Sequence, residues 1–114
     1  MEKFVERTLL YDFYGELLTD HQKEIYEQFI LEDLSLGEIA RDAGISRQGV
    51  HDLVKRCDRT LQEYEEKLHL VSRFLTVKEQ IHKIREILDQ EPAEDISVLK
   101  SEIRKISDEI LEEL

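Results

Sequence analysis

The sequence predicts an all-α protein: a helix-turn-helix whose second helix runs on into a long stem, with a helical hairpin at the C-terminal end. Three observations carry that reading. Glycine (4) and proline (1) are scarce in 114 residues while charged residues reach 38%, a balance suited to helices with solvated faces. No apolar–polar alternation is sustained and no Asn-Gly or Asp-Gly hairpin turn occurs, so strand signals are missing. Apolar residues recur instead at steps of three and four in successive segments.

The first helix spans about Lys3 to Leu18, with Phe4, Val5, Thr8, Leu9, Asp12, Phe13 and Leu17 on one stripe and Tyr11 and Tyr14 broadening it. Thr19 reads as an N-cap, and Gln22 three residues on completes a capping box. The second helix carries Ile25, Tyr26, Phe29 and Ile30 inward and ends near Glu32 and Asp33. Ser35 and Glu38 form another capping box, and the short helix they open stops at Gly44, the residue best able to turn left-handed. Ser46 caps the fourth helix. From it Val50, Leu53, Val54, Cys57, Leu61, Tyr64, Leu68, Val71 and Leu75 follow without a Gly or Pro between them, which predicts one long helix, straight or kinked, continuing into a stem of coiled-coil type. Val77, Ile81, Ile84 and Leu88 make a shorter seam. The stretch 90–94 holds the only proline, and Ile96, Leu99, Ile103, Ile106, Ile110, Leu111 and Leu114 form the last seam. Two seams around a short break read as a helical hairpin. The chain thus divides into a module over 1–60 and a stem with hairpin over 61–114, the latter for oligomerisation or partner docking.

Residues 35 to 60 meet the demands of helix-turn-helix packing. Ala40 is small where the second helix crosses the first, and Gly44 tolerates the positive φ of the turn. Ile39, Ala43, Ile45, Val50 and Leu53 are expected to fill the space between the helices. That register turns Ser46, Arg47, Gln48, His51, Asp52 and Lys55 toward a major groove. Arg47 can pair with a guanine edge and Gln48 with an adenine edge. Ser46, Lys55, Arg56 and Arg59 suit phosphates, and Asp52 suits a cytosine amino group or Arg56 one turn on.

Charge distribution supports the same segment. The net charge is −11, awkward for phosphate binding. Residues 35–60 nonetheless carry five basic groups against four acidic ones, leaving −12 on the rest. Catalysis is not expected: His21, His51, His69 and His82 are scattered, Cys57 lies on the apolar stripe, and no phosphate-cradling or nucleophile motif occurs. No cofactor or metal is expected either. No apolar run approaches the roughly 18 residues that span a bilayer. With one cysteine and no signal-peptide core after Met1, the expected location is the cytoplasm, without membrane insertion. Leu61, Tyr64, Leu68, Val71 and Leu75 outrun what a small module can cover, which points to a homodimer placing paired helices on two half-sites.

Two resemblances sharpen these expectations. Residues 18–25, 34–40 and 44–50, with Leu34-Ser35-Leu36-Gly37-Glu38-Ile39-Ala40 and Gly44-Ile45-Ser46-Arg47-Gln48-Gly49-Val50 at their centre, look like the promoter-reading C-terminal region of sigma factors, region 4. The long acidic C-terminal half departs from that pattern. Over essentially the whole chain the sequence resembles the YlxM family of Gram-positive bacteria. Phe13-Tyr14-Gly15-Glu16-Leu17-Leu18-Thr19, Ser46-Arg47-Gln48-Gly49-Val50-His51-Asp52 and the stem around Lys67-Leu68 carry that likeness. The resemblance implies a helix-turn-helix regulator. Through the family's gene neighbourhood, beside the signal recognition particle GTPases, it also implies a part in that pathway. The sequence therefore leads to a protein that binds duplex DNA, or RNA, as a regulator. The alternative is an adaptor that contacts the signal recognition particle RNA or its GTPase through the same module and an acidic stem.

Overall fold

The computed structural model of the chain describes residues 2–90 and 95–114. Among them the chain forms six helices and no strand, in agreement with the all-α reading: α1 (Lys3–Tyr14), α2 (Asp20–Ile30), α3 (Leu36–Ala43), α4 (Arg47–Leu68), α5 (Leu70–Leu88) and α6 (Ile96–Glu113). They fall into two compact units, Met1–His69 and Leu70–Leu114.

In the first unit the local sequence sets each helix start. Thr19 Oγ1 accepts the Gln22 amide while the Gln22 side chain takes the Thr19 amide, a reciprocal box that satisfies two otherwise orphaned donors of α2. Ser35 and Glu38 do the same for α3. At the far end of α3 Gly44 adopts φ 71°, and the amides of Gly44 and Ile45 both turn back to the Ala40 carbonyl. α1 is shorter than the stripe predicted, because residues Gly15–Leu17 tighten into a 3-10 turn. Gly15 is needed there. A Cβ at that position would stand 2.7 Å from Tyr11 Cε1.

α4 is the hub, packing against α1, α2 and α3. Val50, Val54, Cys57 and Leu61, at steps of four, three and four, are its buried stripe, and Leu10, Tyr14, Leu18, Ile25, Tyr26, Ile30, Ile39 and Ala40 complete the core. Of the positions expected between the helices of the helix-turn-helix, Ile39, Ala40 and Val50 are buried and Leu53 is half-buried. Ala43 and Ile45 are corrections. Both are exposed, since the left-handed turn at Gly44 carries the flanking residues around its outer side.

The long stem is also corrected, from one helix, straight or kinked, to two. His69 takes a left-handed backbone (φ 56°) and its amide closes onto the Glu65 carbonyl, so α4 ends at Leu68 and α5 begins at Leu70. The boundary between compact units thus lies at 69/70, nine residues beyond position 60. Of the five residues read as an oligomer seam, Leu61 is completely buried and Tyr64 stacks on Tyr14 with ring centroids 6.0 Å apart. Leu68 is exposed at the end of α4, and Val71 and Leu75 belong to α5. In the second unit α5 and α6 pack on one another as a helical pair, with Ile106 at its centre. Of the Pro-bearing break over 90–94, residues 91–94 lie outside the described residues.

Candidate nucleic-acid interface

The interface starts from a cap. Ser46 stays in extended backbone and its Oγ accepts the Gly49 amide at 2.9 Å, so α4 begins where Arg47 and Gln48 can project. Because α4 spends one stripe on the core, the opposite face is left to polar residues. Arg47, Gln48, His51, Asp52, Lys55, Arg56 and Arg59 are all exposed along it.

Hydrogen bonding sorts this set. Gln48 Nε2 donates to Asp52 Oδ1 at 2.9 Å, and His51 Nδ1 lies 3.5 Å from the same oxygen. Asp52 therefore orders Gln48, one turn before it, and not Arg56 one turn after. Arg47, Lys55, Arg56 and Arg59 have no carboxylate partner among the described residues.

Asp58, the second acidic residue along this part of α4, is taken up elsewhere. Its two oxygens receive Arg7 Nε at 3.0 Å and Arg7 Nη2 at 2.7 Å, and the Tyr26 hydroxyl donates to Oδ1 at 2.5 Å. Burial opposes the Arg7 charge, but the hydrogen bonds and charge of Asp58 outweigh it and leave Arg7 more firmly protonated than usual. One carboxylate thus joins α1, α2 and α4. With Asp58 neutralised, residues 35–60 present five basic groups against three acidic ones.

The fold adds a cation that the sequence did not point to. Lys3, at the start of α1, comes beside Lys55, and the repulsion from Lys55 followed by that from Arg7 lowers its pKa. Nothing local in the sequence links these two lysines; only the packing of α1 on α4 does. Cys57 sits inside the same helix with its thiol pushed up to about 11 by burial, which suits a core residue and not a nucleophile. Among the described residues no three metal-ligating side chains converge and no helix is long and apolar enough to cross a membrane.

An N-capped helix with an exposed cationic face, set behind a left-handed glycine turn, is thus on hand. Residues 1–106 match the model of the family described as "Putative helix-turn-helix protein, YlxM / p13 like". The chain belongs to this family. A UPF0122 protein of Caldanaerobacter subterraneus is 52% identical over 87 residues, 76% of this chain and 74% of its own length. A UPF0122 protein of Thermoanaerobacter sp. (strain X514) is 46% identical over 113 residues, covering 97% and 96%. UPF0122 protein YlxM of Bacillus subtilis is 39% identical over 107 residues, covering 93% and 97%. The YlxM-family match takes in both compact units and reaches into α6.

Proposed function

We propose that the protein binds duplex nucleic acid, DNA foremost, by setting the first turns of α4 into a major groove, and that it acts in the cytoplasm as a regulator and not as a catalyst. The observation that carries this is the exposed α4 face, on which Arg47, Lys55, Arg56 and Arg59 stand without carboxylate partners among the described residues. Arg47 offers two parallel donors to a guanine edge, and Gln48 can exchange Asp52 for an adenine edge. After capping Gly49, the Ser46 hydroxyl keeps a proton to donate to a phosphate, at a helix end that favours anions. His51 borders the same surface, and Lys55, Arg56 and Arg59 answer the phosphate strand.

Pairing of copies belongs to the second unit in this proposal. α5 leaves Phe74, Ile81 and Leu88 exposed at intervals of seven, the repeat of a helix seam. Lys78, His82 and Arg85 flank part of it, which suits the acidic end of α6 from a second copy, with Asp108, Glu112 and Glu113.

The charge of −12 outside residues 35–60 favours a second reading, an adaptor in the signal recognition particle pathway. Its acidic surfaces would dock a basic protein such as the particle's GTPase. A contact with the particle's RNA would use phosphates or loops, since an A-form major groove is too narrow for a helix. Recovery of bound molecules by tagged protein from a lysate of the source organism separates the readings. Discrete DNA fragments that disappear with Arg47→Ala support the regulator. The particle's RNA or GTPase, recovered without DNA, supports the adaptor.

A further inference from the structure

The first unit builds a second cationic feature beside the recognition face. Lys3, Arg7, Lys55 and Arg59 line a groove of about 350 Å³ between α1 and α4, together with Glu6 and Asp58. Asp58 is already bound by Arg7 and Tyr26, and Glu6 is exposed at the rim. Lys3, Lys55 and Arg59 have no carboxylate partner among the described residues. Folding thus gathers like charges that repel one another, as the lowered pKa of Lys3 reflects. Such a cluster gains when an anion enters.

Its position indicates which anion. Lys55 and Arg59 lie eight and twelve residues beyond Arg47 on the same helix, roughly 12 and 18 Å along its axis at about 1.5 Å per residue. A B-form major groove is only about 12 Å wide. With Arg47 on base edges, Lys55 and Arg59 have reached the wall of the groove, where the sugar-phosphate strand runs. α1 then places Lys3 from the other side of that strand.

Resting on the proposed nucleic-acid binding, we infer that Lys3 of α1 joins Lys55 and Arg59 of α4 in a clamp for a backbone phosphodiester, adjoining the base-reading turns. The ligand is the phosphodiester itself, so the contact is indifferent to sequence. Arg7 serves it indirectly by pairing with the Asp58 carboxylate that lines the groove.

Fluorescence anisotropy on the full chain tests the clamp, with a labelled mixed-sequence DNA duplex and a labelled RNA hairpin, over about 50 to 200 mM salt. Lys3→Ala should weaken binding roughly five- to tenfold near 0.1 M salt and make the slope of log K against log salt shallower by about 0.9, one phosphate's share. Arg59→Ala should do the same, and Glu6→Gln should tighten binding. Lys67→Ala, at the far end of α4, should do neither. An equal effect on both probes supports a phosphodiester common to them; an effect on one supports the clamp for that duplex alone. If the wild-type chain binds with steep salt dependence while Lys3→Ala and Arg59→Ala keep its affinity and slope, the clamp is overturned and the functional reading survives. If the wild-type chain binds neither probe, both are overturned.

Discussion

Asp58→Ala should unfold the first unit far more readily than its position near the surface indicates. The Arg7 and Asp58 side chains retain only 17% and 22% of their accessible surface, and Tyr26 retains none. Removing Asp58 leaves a largely buried guanidinium with two N–H groups aimed at nothing and a buried phenol without an acceptor. Breaking a buried ion pair from one side costs about 3–5 kcal/mol. The fifth of the surface still open to water returns some hydration to Arg7, so about 3 kcal/mol is expected. In a unit of this size that lowers the melting temperature by about 12–24 °C. Tyrosine fluorescence is the natural probe, because all four tyrosines lie in the first unit and the chain has no tryptophan. Urea unfolding of wild type, Asp58→Ala, Arg7→Met and the double variant completes a cycle. A coupling of about 2 kcal/mol is predicted. A loss below about 1 kcal/mol, or strictly additive variants, would refute the claim that this node ties α1 to α4.

Three further outcomes follow from particular contacts. Gly15→Ala drives a methyl group to 2.7–2.9 Å from the Tyr11 ring, which is held by its hydrogen bond to Glu27 and its contact with Tyr26; a loss of about 1–3 kcal/mol in urea unfolding is expected, and a neutral variant would show that the ring moves freely. Cys57 should react with a thiol reagent at pH 8 only as fast as the first unit opens, given its burial and a pKa pushed up to about 11; rapid labelling of native protein would contradict that placement. The Ser35 amide and hydroxyl lower the pKa of Glu38 from 4.5. A carboxylate depressed by folding contributes fully above its unfolded value, and the contribution fades as pH falls from 4.5 through the lower folded value. Glu38→Gln, which keeps an acceptor without the charge, should flatten this part of the acid-induced loss of stability, and an unchanged pH profile would argue against the box.

How far the sequence could be read depended on the range of each interaction. Caps and turns were legible because their partners lie within a few residues: Thr19 with Gln22, Ser35 with Glu38, Ser46 with Gly49, and Gly44 at its turn. The buried stripe of α4 was legible for the same reason, being a spacing on a single helix. The break at His69 was not. A histidine is an uncommon choice for a left-handed position, and no glycine or proline marked the place. Ile45 reads as core in the sequence and is exposed in the fold, because an apolar residue beside a turn looks like core until the direction of the turn is known. Arg7 with Asp58 and Lys3 with Lys55 were invisible for a simpler reason. Each pair joins α1 to the middle of α4 across half the chain, and only tertiary packing brings the partners together.

The measurement that bears most directly on the central claim is the salt dependence of nucleic-acid binding by the intact chain, beside Arg47→Ala, on a DNA fragment recovered from its own organism. Affinity should fall steeply as salt rises, with a slope set by several phosphate contacts. Arg47→Ala should cost about 1–3 kcal/mol on that fragment and much less on unrelated duplexes. Binding that is insensitive to salt, or equally strong in the variant, would contradict a recognition role for the exposed face of α4.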